Sequence, residues 1–200
     1  INIFSDGTVS AQAALTSIEI ANIYDEDVSL NLSTSTSLTE VNFTRGDGVA
    51  AYTVGAGVTT VGLTDIVLAG DGGGIADTTL NLAAADTALI LNLSGITSAG
   101  AQADEDINVV GAGLTDITIN AVGATEGDNI AVAGAATIAI NATGAFDAVI
   151  GTTSTVAALT LTGAGAITLG ALDTGIDSVD ASGATGAITM TDGGSNADAV

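Results

Sequence analysis

The stretch from residue 155 to residue 191 repeats one pair of short runs with a period of about 20 residues, a length found in solenoid repeats. Runs 159–162 and 166–169 return as runs 178–181 and 187–190, so that Leu159 corresponds to Val179 and Ile167 to Ile188. Apolar and polar residues alternate within each run, which places every second side chain on one face and is typical of a β-strand. A unit this small cannot bury its own apolar face, so copies of it must stack on one another.

The same period continues toward the N-terminus. Ile117, Ile138, Leu159 and Val179 follow one another at nearly constant intervals of about 21 residues. We expect these four side chains to form one interior column. The pattern predicts an all-β fold, a parallel β-solenoid (β-helix) with coils of about 20 residues and two to three short strands per coil.

The first third of the chain fits the period less closely. The interval from Ile18 to Val41 is longer than that from Val41 to Val61, and the run 15–20 is the first that alternates clearly. Residues 95–106 interrupt the pattern, and we expect them to bulge out of the coil. The alternative fold is an antiparallel β-sandwich with a turn every 8–12 residues. Trp is absent, no run is longer than about six residues, and the period spans two strands, all of which favours the solenoid.

Charge limits the possible partners. The 200 residues include 23 acidic residues and a single basic one, Arg45, which gives a formal net charge of −22. One Arg cannot form a basic patch, so we expect no binding to nucleic acid or to anionic membrane surfaces. No apolar run approaches the ~18 residues of a membrane span, so we expect no membrane insertion. Cations are the favoured partners.

The last eight residues carry the strongest local motif. Residues 193–200 fit the calcium-binding nonapeptide G-G-x-G-x-D-x-U-x through its eighth position, with Asn196 in place of the third Gly. We expect a Ca²⁺ ion bound by the carboxylate of Asp198 and the backbone carbonyls of Gly193 and Ser195, because Ca²⁺ prefers hard oxygen ligands. A plain acidic turn is the alternative.

Other acidic turns are secondary candidates for Ca²⁺. Asp128 lies in the sequence G-D-N-I, and Asp104 and Asp106 flank a Glu. Each could equally be a solvated turn. Dense carboxylates on stacked coils repel one another, and a divalent cation relieves that repulsion.

Asparagine recurs between apolar neighbours. The pattern occurs at Asn31, Asn42, Asn81, Asn92 and Asn108. It predicts an outward ladder of stacked amides, which stabilises β-layers, and a ligand-binding face is the alternative. Four asparagines also begin N-x-S/T triplets, namely Asn31, Asn42, Asn92 and Asn141, so glycosylation stays open for a secreted protein.

Catalysis is not expected. The chain has no His, Cys or Lys, so it offers neither a catalytic triad nor a Schiff-base nucleophile. A pair of carboxylates could hydrolyse a sugar, but such sites also use bases or aromatic platforms, and aromatic residues make up only 2% of the chain. We therefore expect a protein that is not an enzyme.

The runs 15–20, 37–43 and 178–189, together with the Ala, Thr and Gly bias and the missing Cys, resemble bacterial surface-layer (S-layer) proteins of the Caulobacter type. Proteins of that family combine long β-solenoids with calcium-binding nonapeptide (RTX-like) repeats. The resemblance implies a secreted protein on the extracellular cell surface that self-associates as a homo-oligomeric lattice ordered by Ca²⁺. This chain departs from the family pattern in having one imperfect nonapeptide.

The resemblance also sets the expected organisation. Residues 1–200 would be a single β-solenoid segment of a larger surface protein, with an RTX-like turn at 193–200. A cell-surface polysaccharide is a further candidate partner. The alternative function is a secreted adhesin or ligand-binding β-solenoid module, which a flat face of regularly spaced, exposed Thr side chains would favour.

Overall fold

A computed structural model describes residues 1–4, 14–24, 29–46, 50–68, 78–98, 106–123, 125–154 and 157–191. These residues form strands and turns and contain no helix. For residues 98, 106 and 125–128 the description covers the backbone alone.

The described residues form nineteen strands. They are β1 (Asn2–Phe4), β2 (Ile20–Tyr24), β3 (Leu30–Asn31), β4 (Glu40–Thr44), β5 (Ala50–Thr53), β6 (Thr60–Thr64), β7 (Val67–Leu68), β8 (Thr78–Asn81), β9 (Ala88–Ser94), β10 (Thr97–Ser98), β11 (Asp106–Val110), β12 (Asp116–Ala121), β13 (Thr125–Val132), β14 (Thr137–Ala142), β15 (Phe146–Thr152), β16 (Ala157–Gly163), β17 (Ile167–Ala171), β18 (Ile176–Ala184) and β19 (Ile188–Thr191).

Every strand pair is parallel, and each strand pairs with the equivalent strand of the next coil. Sheet 1 has nine strands in the order β1-β2-β4-β6-β9-β12-β14-β16-β18. Sheet 2 has eight, in the order β3-β5-β8-β11-β13-β15-β17-β19, and sheet 3 is the short pair β7-β10. Parallel neighbours separated by a full coil define a parallel β-solenoid. The predicted fold class is therefore confirmed, and the antiparallel sandwich is excluded.

The register of sheet 1 gives the relative length of each coil. Asn2 pairs with Asn22, Asn22 with Asn42 and Asn42 with Gly62, which makes three equal steps along the chain. The next two steps are longer, because Gly62 pairs with Asn92, and Asn92 with the residue at position 120. Later steps are shorter again and constant, at about 21 residues. The two long coils are those that contain β7 and β10, so each has three strands, whereas the other coils from Asn22 onward have two.

The predicted interior column is confirmed. Ile117 pairs with Ile138, Ile138 with Leu159, and Leu159 with Val179, all in sheet 1. Their exposed fractions are 1%, 0%, 0% and 4%. Each such side chain contributes about 1.5–3 kcal/mol by burial, so this column is a main source of stability. The predicted match of Ile167 with Ile188 in sheet 2 is also confirmed.

The expected equivalence of Ile18 with Val41 is wrong. Val41 pairs with Val61 as expected, but its partner in the coil before is Ala21. Residues 15–19 of that run form no strand, and the backbone N–H groups of Leu15 and Ile18 donate to the hydroxyls of Ser35 and Ser37 at 3.0 and 3.4 Å. Those hydrogen bonds hold residues 15–19 against the turn of the next coil, and β2 begins only at Ile20.

The prediction that residues 95–106 bulge out of the coil is wrong for both ends of that segment. Ile96 is fully buried, and β10 pairs with β7 inside the coil. At the other end Asp106 already belongs to β11. The part between them, 99–105, lies outside the described residues.

The turns that follow sheet 1 stack as closely as the strands. The sequence A-x-G-A occurs at 121–124, 142–145 and 184–187, with Gly in its first position at 163–166. A Cβ on Gly165 would overlap the backbone of Gly144, and one on Gly186 would overlap the backbone of Gly165. The third position of this turn therefore requires glycine, because the backbones of successive coils touch there.

Threonine hydroxyls join successive coils at the corners. Thr39 Oγ1 donates to the carbonyl of Glu19 at 3.2 Å, and Thr115 Oγ1 to the carbonyl of Thr87 at 3.1 Å. Two further hydroxyls make the same bond at the opposite corner, Thr143 Oγ1 to Ala121 O and Thr185 Oγ1 to Gly163 O. Each of these carbonyls also accepts a backbone N–H, so the four hydroxyls add a second bond between successive coils at the corners.

Candidate functional site

The outer face of sheet 1 carries a row of asparagines along its centre. In the first coils Asn22 Nδ2 donates to Asn2 Oδ1 at 3.0 Å, and Asn42 Nδ2 donates to Asn22 Oδ1 at 3.0 Å. Parallel, in-register strands bring identical side chains one above the other, so each amide reaches the next. Glu40 Oε1 accepts a second hydrogen bond from Asn42 Nδ2 at 2.7 Å. The row is therefore held rigidly.

A second segment of the row begins after the long coils. Asn120 Nδ2 donates to Asn92 Oδ1 at 2.9 Å, and Asn141 Nδ2 donates to Asn120 Oδ1 at 3.4 Å. Between the segments stands Gly62, which pairs with both Asn42 and Asn92. The side-chain oxygen of Asn42 occupies the space that a Cβ at Gly62 would take. We call the two segments together the amide ladder.

The predicted ladder is correct for two of its five residues, Asn42 and Asn92. Asn31, Asn81 and Asn108 lie instead in sheet 2, where Asn31 pairs with Thr53 and Thr53 with Asn81. Sequence reasoning overlooked Asn2, Asn22, Asn120 and Asn141 as ladder members. The signal was present in the spacing, since Asn2, Asn22 and Asn42 recur at equal intervals and Asn120 and Asn141 are one solenoid period apart.

Exposed apolar side chains flank the amide ladder. On one side Ile20, Glu40, Thr60 and Ile90 follow one another in register. Ile20 and Ile90 are 46% and 41% exposed. On the other side the rings of Phe4 and Tyr24 stack at 4.8 Å between centroids, and both are exposed. The outer face of sheet 1 thus has a polar centre and exposed apolar side chains at both margins of its first two strands, while Ile90 is separated from Ile20 by Glu40 and Thr60.

Thr does not form an unbroken exposed column on this face. Thr60, Thr118 and Thr160 occupy one outward row, but Ile90 and Ala139 interrupt it. Elsewhere the hydroxyls of Thr39, Thr115, Thr143 and Thr185 donate to carbonyls of the preceding coil. The regular array of Thr that would favour a binding module is therefore not present on sheet 1 among the described residues.

A shallow depression of about 300 Å³ lies on the outer face of sheet 2. Its floor is formed by Ala131 and Gly151, which pair in register and are both small. Asn108, Val110 and Thr152 stand at its margins, and none of the residues that line it is charged. The site is apolar with a few polar groups at the edge, as small-ligand sites are.

The predicted calcium ligands fall largely outside the described residues. This holds for Gly193, Ser195, Asp198 and Asp104. Two others have a described backbone. Asp106 begins β11 and pairs with Asn129, the residue that follows Asp128 in β13. Two of the six candidates are thus brought to neighbouring strands of sheet 2, although a full coil separates them in sequence.

The electrostatics of the described residues are dominated by exposed carboxylates. In β18, Asp180 accepts a hydrogen bond from the backbone N–H of Ser182 at 2.9 Å. That bond, with a further one from the Ser182 hydroxyl, lowers the pKa of Asp180 below its ordinary value. Within the described ranges, no three His, Cys, Asp or Glu side chains come together as a metal site. Nor is there, in these same ranges, a helix long and apolar enough to cross a membrane.

No protein-family model, no curated protein sequence and no solved structure matches the chain. The function must therefore be argued from the solenoid, its outer faces and its charge.

Proposed function

We propose that the chain is a structural segment of a secreted bacterial S-layer protein, which assembles with copies of itself on the extracellular cell surface and is not an enzyme. The observation that carries the proposal is the outer face of sheet 1. Its strands stay in register from β1 to β16, and Ile20, Ile90, Phe4 and Tyr24 are exposed along its margins. Exposed apolar side chains grouped on one face favour association with another protein surface.

The amide ladder supports the same proposal. A surface that has to fit a second copy must keep its shape, and hydrogen bonds between side chains of successive coils fix the outward rows of sheet 1. The row presents an amide at six of the nine strands of sheet 1. Such a face suits a lattice contact better than a single pocket does.

The proposal includes calcium because the chain carries a large negative charge. Copies of a chain with a net charge of −22 repel one another, and a divalent cation between carboxylates relieves that repulsion. Asp198, with the carbonyls of Gly193 and Ser195, remains the first candidate site. Asp106 and Asp128, on neighbouring strands, are the second. When bound, Ca²⁺ would supply positive charge and tie the coils that hold its ligands.

Electron microscopy of the purified protein with and without Ca²⁺ tests this function. We expect ordered two-dimensional arrays in millimolar Ca²⁺ and dispersed particles in chelator. Ile90→Glu places a charge on the outer face of sheet 1 and should abolish the arrays. The control Ala171→Glu adds the same charge at an exposed position of sheet 2 and should leave them intact. A monodisperse monomer with Ca²⁺ present would contradict the proposal.

The depression on sheet 2 favours a second candidate function, a secreted adhesin or ligand-binding module that recognises a cell-surface polysaccharide. Its apolar floor suits the C–H face of a sugar, and Asn108 and Thr152 offer polar groups at the edge. Ala131→Leu would fill the floor. Calorimetric titration with cell-wall polysaccharide should show binding by the wild type that the variant loses. Absence of binding by the wild type would remove this candidate.

A further inference from the structure

The four N-x-S/T triplets of the chain occupy different structural settings. Asn42, Asn92 and Asn141 belong to the amide ladder in the middle of sheet 1 strands, and all three are half-buried. Asn31 ends β3, the terminal strand of sheet 2 among the described residues, and is exposed. The same kind of triplet therefore lies in a half-buried strand of sheet 1 at three sites and at an exposed strand end of sheet 2 at the fourth.

Hydrogen bonds within the amide ladder fix the side-chain amides of Asn42, Asn92 and Asn141. Asn42 Nδ2 donates to both Asn22 Oδ1 and Glu40 Oε1, and Asn141 Nδ2 donates to Asn120 Oδ1. Asn92 is fixed through its oxygen, which accepts from Asn120. Each also lies in a strand paired on both sides, so the backbone N–H two residues on faces a neighbouring strand and cannot turn back to the side chain.

Asn31 has the opposite geometry. Its Oδ1 accepts a hydrogen bond from the backbone N–H of Ser33 at 2.9 Å, which makes an Asx turn across the triplet. The hydrogen bond from Ser33 fixes the carboxamide through its oxygen. Among the described residues, Nδ2 of Asn31 and the hydroxyl of Ser33 make no hydrogen bond, and both residues are exposed.

We propose that Asn31 is the N-glycan acceptor of the folded chain, and that the other three triplets are blocked by the amide ladder. The inference rests on the proposed extracellular location. In the transfer, Nδ2 of Asn31 attacks the anomeric carbon of a phosphate-activated sugar. A new N–C bond forms, the C–O bond to the phosphate breaks, and the phosphate leaves with the electron pair. One amide proton passes to a base of the transferase. The hydrogen bond to Oδ1 fixes the carboxamide and leaves Nδ2 available for the attack.

The test compares the folded full chain with four synthetic peptides, one for each triplet. Both are treated with UDP-glucose and a soluble N-glycosyltransferase that recognises N-x-S/T, and site occupancy is followed by mass spectrometry. All four peptides should react at similar rates. In the folded chain Asn31 should keep its peptide rate, while Asn42, Asn92 and Asn141 should slow by at least about tenfold, because their reaction requires local opening of sheet 1. Equal rates at all four sites of the folded chain would overturn the proposal.

Two variants and one natural sample complete the test. Ser33→Ala should stop modification at Asn31 without changing the circular dichroism spectrum, and Ser33→Thr should retain it. Protein recovered from its own cells should carry a sugar mass on the peptide that contains Asn31. A bare Asn31 in that sample would refute the inference. The array experiment does not depend on a sugar, so the two proposals can fail separately.

Discussion

The stacked turns lead to a prediction about a single methyl group. Gly165 is buried in the turn between β16 and β17, and it has an ordinary backbone conformation. A Cβ added there would lie 2.7 Å from the carbonyl carbon of Gly144 and closer still to its oxygen. Backbone atoms cannot rotate away as a side chain can. Gly165→Ala must therefore separate two coils locally, which we expect to cost about 1–3 kcal/mol of the free energy of unfolding.

Gly151→Ala is the matched control. A Cβ at Gly151, in β15, would lie 3.4 Å from Asn129 Oδ1 and 3.9 Å from the Cα of Ala131, both ordinary contacts. Both substitutions restrict the unfolded chain equally, an effect that stabilises by about 0.4–1 kcal/mol. That effect cancels in the comparison, so a midpoint lower for Gly165→Ala than for Gly151→Ala reports chiefly the overlap with Gly144.

Urea unfolding followed by far-ultraviolet circular dichroism measures both variants against the wild type. We expect the unfolding midpoint to fall for Gly165→Ala and to stay level or rise for Gly151→Ala. Equal midpoints for the two variants would refute the close stacking of the turns, and with it the claim that glycine is required at this position.

Three further predictions concern the column, the amide ladder and the ion. Leu159→Asp should unfold its coil, since an unpaired buried charge costs several kcal/mol, whereas Ala158→Asp, at an exposed position that pairs with Thr137 and Ser178, should be tolerated; equal melting temperatures would contradict this. Asn120→Ala removes two amide hydrogen bonds and should lower the free energy of unfolding by about 1–3 kcal/mol, a loss that urea unfolding would detect or disprove. Millimolar Ca²⁺ should raise the melting temperature of the wild type but not of Asp198→Ala, as preferential binding to the folded form requires. A wild-type melting temperature unchanged by chelator would remove calcium from the proposal.

The sequence predicted the parts of the fold that repeat regularly. Ile117, Ile138 and Leu159 are all large and apolar and follow one another at a constant interval, so the interior column could be read directly. The first coils were harder because Ala21, which is small, stands in the column of Val41 and Val61, while the more apolar Ile18 lies before β2 begins. Hydrophobicity alone would place Ile18, rather than Ala21, in the interior of the solenoid.

The sequence predicted that an outward ladder of asparagines exists, but it did not predict which asparagines belong to it. An asparagine between apolar neighbours looks the same in sheet 1 and in sheet 2, so Asn31 and Asn42 could not be told apart without the register. The placement of Asp106 and Asp128 on neighbouring strands could not be predicted for another reason. It depends on the long coil between β9 and β12, and no rule of periodicity gives the length of an insertion.

The constant step between coils has a consequence for how such a chain can change its length. From Asn120 through Asn141 to Thr162 every step has the same length, and the same corner sequence returns with it. Loss or duplication of one whole coil in this part would leave every remaining side chain on its own face. If the deleted stretch were one residue shorter than a whole coil, every later residue of the sheet would move to the opposite face, or one corner would have to stretch. Gene rearrangements that survive selection should therefore come in whole coils, and the reach of the protein should vary among strains in fixed increments of about 4.8 Å.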